Sequence, residues 1–134
     1  MKLSRKCEYA LLILIQLSGT HGDGKPIPSS VLSEKNKIPR KFLDQIMSLL
    51  RKNGYVESVR GVTGGFRLSK PPGEISLAEI VRLIDGPIAP IASVSTYFYR
   101  QTPSEQNDRL ISCFKDIRDY AAMKLETLTF DQLV

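Results

Sequence analysis

Two periods of apolar residues alternate along this chain, and the points where one gives way to the other mark its elements. Leu3, Ala10, Leu11, Leu14, Ile15 and Leu17 keep helical spacing and are nearly all-round by the end. That pattern predicts a deeply buried first helix from about Ser4, its cap, to about Leu17. Gly19, Gly22 and Gly24 close it in a loop that holds His21, the single histidine, which takes no role. Pro28 and Ser29 open a second, short helix through about Lys35, because proline suits a first turn that needs no N–H. Asn36 and Lys37 make a turn. A third helix starts at Ile38-Pro39 and continues to Lys52, with Phe42, Leu43, Ile46, Leu49 and Leu50 three and four apart. Its other face carries Lys37, Arg40, Lys41, Asp44, Gln45, Ser48, Arg51 and Lys52. Asn53-Gly54 ends it, since glycine tolerates the left-handed conformation found there.

The period then drops to two. Tyr55 to Val59 and Phe66 to Ser69 alternate and are rich in strand formers, and RGVTGG between them reads as a tight hairpin tip. Lys70-Pro71-Pro72-Gly73 stops the hairpin. Helical spacing returns from about Leu77 to Ile84, with Ser76 as cap and Glu79 completing a capping box. Asp85-Gly86-Pro87 ends that helix. Ile88 to Gln106 has no period and reads as an ordered, irregular loop containing Tyr97-Phe98-Tyr99. From about Asp108 to Thr127 the helical period resumes. Leu110, Phe114, Ile117, Ala121 and Leu125 form a seam for another helix, expected to be that of a second copy. The alternative is that this helix folds back on its own domain.

Helix, turn, helix and a basic hairpin, in that order, is the plan of a winged helix-turn-helix. The expected fold is mainly α with a small β-wing. Residues 1–86 form the winged helix-turn-helix domain, and residues 87–134 form the irregular loop and dimerisation helix with a C-terminal tail.

Composition narrows what such a fold meets. The hydrophobic fraction of 42% is that of a globular protein. The longest apolar run, Ala10 to Ile15, is far short of a membrane span. Glu8 and Tyr9 interrupt what would otherwise resemble a signal peptide, so the expected location is the cytoplasm, with no membrane partner. Cys7 and Cys113 are too few and too far apart in sequence for a disulfide framework. Charge is divided unevenly. Residues 1–73 hold 13 Lys and Arg against 5 Asp and Glu, a net +8, whereas residues 74–134 hold 6 against 9, a net −3. The front half suits a polyanion and the back half suits protein.

The candidate chemistry is that of duplex DNA. A helix fits the major groove, and its first residues reach base edges. Lys37, Arg40, Lys41, Asp44 and Gln45 stand there, with Arg or Lys suited to guanine, Gln to adenine and Asp to cytosine. Arg60, just before Gly61, suits the electronegative minor groove of A·T-rich DNA. Thr63 and the amides about Gly64 suit phosphates, and Arg67 and Lys70 add charge. Ser29, Ser30, Arg5 and Lys2 are expected to hold phosphates without reading sequence. The tip is no P-loop, because a strand and not a helix follows it. One histidine and no prominent carboxylate pair leave no enzyme to propose.

These residues closely resemble the bacterial IscR, NsrR and CymR (Rrf-type) family of transcription regulators. The resemblance is carried by MKLSRKCEYALLIL, IPRKFLDQIMSLLRKNGYVESVRGVTGGFRLSKPP, ISLAEIVRLIDG and the closing LTFDQLV. It implies a homodimer, probing a palindromic operator with helix 39–53 in the major groove and wing 55–69 in the minor groove, and acting as a repressor. It assigns readers to Lys41, Asp44, Gln45 and Arg60. It also exposes a departure. Many members carry three cysteines between the fourth helix and the dimerisation helix, holding an iron–sulfur cluster. The interval here, PIAPIASVSTYFYRQTPSEQNDRL, has none; Ser93, Ser95 and Asp108 stand near those places. Glu8 matches a ligand position of a minority type, but Leu12 replaces its histidine. No iron–sulfur cluster or metal is expected, because such clusters need thiolates. An effector molecule, a partner protein or a thiol at Cys7 or Cys113 remain as signals. A protein-interaction module, or a thiol or metal redox sensor, are the rival functions.

Overall fold

A computed structural model describes residues 1–134. It divides the chain into two compact units, Arg5–Ile75 with Thr129–Val134, and Met1–Ser4 with Ser76–Leu128. This differs from a single cut at residue 86. The helix after Ser76 packs with the long C-terminal helix, while the tail returns to the first unit.

In the first unit, α1 (Arg5–Gly19) buries Cys7, Ala10, Ile13, Leu14 and Leu17, and Ser18 is tolerated inside because its hydroxyl donates to the Leu14 carbonyl at 2.6 Å. The helix α2 (Ser29–Asn36) begins after Pro28, whose carbonyl accepts from the Val31 and Leu32 amides. It ends at Lys37, which takes φ 52° and is the one non-glycine residue in the left-handed region. The turn is closed twice, by the Ile38 amide on the Ser33 carbonyl at 2.9 Å and by the Ser33 hydroxyl on the Ile38 carbonyl at 2.8 Å. The helix α3 (Arg40–Lys52) buries Leu43, Ile46, Met47 and Leu50 and leaves its opposite face in water, as its periodicity dictates.

The strands β1 (Val56–Val59) and β2 (Gly65–Leu68) pair antiparallel, with Val56 opposite Leu68 and Glu57 opposite Arg67. A third, one-residue strand joins them. Ile27 exchanges both backbone hydrogen bonds with Phe66, each 2.8 Å. Gly65 follows from this closeness. At φ +150° a Cβ there would lie 2.3 Å from the Ile27 carbonyl oxygen, and one on Gly64 would lie 2.3 Å from the Val59 oxygen. The C-terminal tail completes this unit. Its short 3-10 turn, Phe130–Leu133, packs on α1, and Phe130 is fully buried with its amide on the Ile75 carbonyl. Burial of one such ring is worth roughly 2–3 kcal/mol.

In the second unit, α4 (Leu77–Asp85) starts at Ser76, whose hydroxyl accepts from the Glu79 amide while the Glu79 carboxylate accepts from the Ser76 amide at 2.8 Å. The long helix α5 (Asp108–Thr127) begins at Asn107, whose side chain accepts from the Leu110 amide at 3.0 Å. Arg82 reaches Glu126 at 2.7 Å, and Arg118 donates to the Val94 carbonyl at 3.0 Å. The loop between the helices is built, not random. Ser93 and Thr102 hydroxyls meet at 2.6 Å, and the Ser95 hydroxyl accepts from the Phe98 amide at 3.0 Å.

Although α5 has 20 residues, none is buried. The seam expected from sequence is split by the helix geometry. Phe114, Ala121 and Leu125 are half-buried, on the arc that includes Arg118 and faces their own unit, whereas Leu110 and Ile117 are exposed. Cys113 and Tyr120 share the exposed strip with them at steps of three, four and three, and Met123 borders it.

Candidate nucleic-acid interface

The α2–α3 turn and the wing are both products of the first unit, and each presents polar side chains from a buried base. Lys37 projects from the tight turn, and Arg40, Lys41, Asp44 and Gln45 follow on the exposed face of α3. The Lys37 and Lys41 side chains make no ion pair or hydrogen bond within the chain, so their charge is open to a ligand. Arg40 and Asp44 differ. They pair with each other across one helical turn at 3.2 Å, both about two-thirds exposed. A pair so exposed is worth little, so either partner can exchange the other for a base or phosphate. Ser29 and Ser30 occupy the first turn of α2, half-buried and exposed respectively.

At the wing, Arg60, Gly61 and Thr63 are exposed and Gly64 is half-buried. Gly61 takes φ 114°, and the Gly64 amide donates to its carbonyl at 3.0 Å, closing the tip. The glycines at 64 and 65 are therefore demanded by the hairpin's own backbone, in addition to any ligand. Arg60 has no intramolecular partner. Arg67 does not stand with it. Its Nε bonds Glu57 on the opposing strand at 2.5 Å, and its Nη1 donates to the Gly24 carbonyl at 3.2 Å, so it ties the wing to the α1–α2 connection. Arg5 likewise pairs with Glu8 at 3.2 Å.

Two shallow grooves flank α3. One, of about 440 Å³, lies between α3 and the start of α1 and is lined by Lys6, Gln45, Ser48 and Lys52 among others. The other, of about 170 Å³, lies between α3 and the wing, where Arg51 and Ser48 face Phe66. Sequence reasoning missed Lys6, although a cation one position after Arg5 on the same helix was the available signal. It also passed over Val62, which is fully exposed at the wing tip beside Arg60.

The remaining chemistry is spare. Cys7 is buried and Cys113 exposed, and no group of three or more His, Cys, Asp and Glu is gathered to hold a metal ion. Tyr97 lies under the Arg82 guanidinium at 5.0 Å. The Tyr99 hydroxyl donates to Glu105 at 2.5 Å, and this bond, with desolvation and the carboxylate's charge, raises its pKa above the ordinary tyrosine value. No helix is long and apolar enough to cross a membrane.

Comparison with known proteins converges on one family. The family model Rrf2, described as an iron-dependent transcriptional regulator, matches residues 3–134. The transcriptional regulator CymR of Bacillus subtilis is 38% identical over 91 residues, which span 68% of this chain and 65% of that relative. IscR of Pectobacterium carotovorum is 30% identical over 136 residues, covering 100% of this chain and 79% of the relative. Among solved structures, oxidised CymR of Staphylococcus aureus superposes with a TM-score of 0.82 at 28% identity, covering 99% of this chain and 95% of the other. The structure of CymR of B. subtilis, the global cysteine regulator, gives 0.79 at 30% identity, over 99% and 95% of the two chains. With a helix-turn-helix and wing of this geometry, and a family model spanning nearly its whole length, the chain belongs to the Rrf2 family of transcriptional regulators.

Proposed function

We propose that this regulator is a cytoplasmic, homodimeric repressor that binds a palindromic operator, and that it has no catalytic activity. The observation that carries the reading is the set of cations left without partners at the start of α3 and the tip of the wing: Lys37, Lys41 and Arg60. Each can be neutralised by a phosphate or can donate to an acceptor on a base edge. In this reading α3 enters the major groove, with Arg40, Lys41, Asp44 and Gln45 at the bases. Ser29, Ser30, Thr63 and the amides of Gly61 and Gly64 hold phosphates, and Arg60 enters the minor groove. Arg67 supports the wing and touches no DNA.

The dimer forms through the exposed strip of α5, with Leu110 and Ile117 at its centre and Cys113 and Tyr120 extending it. A 20-residue helix with no buried residue needs such a cover. Phe114, Ala121 and Leu125 support the strip from within their own unit. Regulation proceeds without an iron–sulfur cluster. The donors do not fit one, since the chain has two cysteines, one of them buried, and its loop hydroxyls are already bonded to each other.

The experiment is selection of bound genomic fragments at near-physiological salt, where non-specific binding by a basic surface fades. Recovery of one palindromic motif is expected. Recovery of no motif, with weak binding indifferent to sequence, would instead assign the basic face to acidic protein partners.

A further inference from the structure

We propose that the groove between α1 and α2 is a binding site for a small organic acid with an apolar body. The groove has a volume of about 580 Å³ and lies wholly within the first unit. That volume suits a molecule of drug or metabolite size. Ile15, Pro26, Pro28 and Val31 give it apolar walls, and Val31 stays 43% exposed. Its polar side chains are Lys35, Gln16 and Thr20, with Val134 at its border, and the Thr20 hydroxyl is taken up by the Leu17 carbonyl at 3.3 Å. Lys35 is the only charged side chain lining it and has no partner within the chain. Gln16 has its Oε1 occupied by the Asn36 amide at 3.0 Å, which leaves the Gln16 Nε2 to donate. Two free donors, one of them cationic, set against apolar walls select a carboxylate head and a hydrocarbon body.

The site is placed to be felt elsewhere. Its floor includes Ile27, the residue that pairs with Phe66 at the root of the wing, and Pro28, whose carbonyl starts α2. A ligand pressing on residues 26–28 acts on the wing and on the first turn of α2 together. Binding there is therefore coupled to affinity for DNA, and this coupling rests on the function proposed above.

The test is a chemical-shift titration of the isotope-labelled full chain with decanoate, 4-phenylbutyrate and, as a neutral control, decan-1-ol. The alkyl and aryl acids distinguish the two kinds of body. Shifts at Ile15, Gln16 and Val31 are expected with an acid at millimolar concentration, with the alcohol at least about tenfold weaker. Lys35→Gln, an exposed change that leaves the core intact, is expected to abolish the preference for acid over alcohol. Absence of shifts in the groove, shifts confined to another surface, or equal binding of acid and alcohol would each overturn the site. Because no DNA is present, failure of the operator reading cannot mimic these results. The coupling is then read as a change of about fivefold or more in the Kd for a selected duplex; an unchanged Kd with the groove filled would overturn the coupling.

Discussion

The two units solve the burial problem in opposite ways. In Arg5–Ile75 with Thr129–Val134, the apolar side chains of α1, α3 and the tail close over one another, and the surface left over is largely polar and cationic. In the other unit, α4 is well buried, yet α5 leaves Leu110, Ile117, Tyr120 and Met123 in water. Charge divides with the units: the first holds 12 Lys and Arg against 7 Asp and Glu, a net +5, and the second holds 7 against 7, a net of zero. A surface rich in unpaired cations is incomplete without a polyanion, and a surface rich in exposed aliphatics is incomplete without another protein. The contrast shows that a functional surface is found by asking what each region fails to satisfy on its own.

The comparison breaks most sharply at α5. Ile117→Asp with Tyr120→Asp is expected to yield a folded monomer by light scattering, with DNA affinity lowered on the order of a hundredfold or more as two linked half-site contacts become one. A dimer that survives both changes would remove the strip from the interface. Phe114→Asp is expected to lower stability as well, because that ring is half-buried in its own unit.

Next in size is the wing. Arg60→Ala is expected to weaken binding by roughly 10- to 100-fold and to erase preference for A·T-rich flanks in anisotropy titrations, as removal of a sequence-reading arginine does. Loss of affinity with the flank preference intact would make Arg60 a phosphate contact. Gly65→Val then tests the frame that holds the wing. A Cβ would meet the Ile27 carbonyl, so the melting temperature is expected to fall by several degrees, as for overpacking of roughly 1–3 kcal/mol. An unchanged melting temperature would show that the third strand yields freely. Ser76→Ala removes one cap of α4 and is expected to cost about 1 kcal/mol in denaturant unfolding, without altering affinity for DNA.

The smallest effect is one of pH. Tyr99 is held neutral by its bond to Glu105, so its pKa is raised. A group shifted upward contributes stability below its unfolded pKa and loses it as pH rises through the folded value. Spectrophotometric titration should therefore show one tyrosine ionising late, and Glu105→Gln should bring it back toward the others.

Much of this was legible in the residues. The capping box at Ser76 and Glu79 and the glycine that ends α3 are local signals, and local structure obeyed them. What sequence could not show were meetings between distant residues. Nothing in RGVTGG announces that Gly65 must admit Ile27 from 38 positions away, or that Arg67 reaches Glu57 and Gly24. Which part of the seam stays open to water was not legible for a related reason. Period alone finds an apolar stripe, but which flank of it faces inward depends on where Arg118 and Glu126 anchor the helix. The Arg40–Asp44 pair, by contrast, was available from its spacing of four.

The most direct test of the central claim is hydroxyl-radical footprinting of the native chain and Arg60→Ala on a selected duplex. The account predicts two symmetric protected windows, one helical turn or a whole multiple apart, each bordered by a minor-groove patch that vanishes in Arg60→Ala. A single window, or minor-groove protection unaltered by the substitution, would contradict it.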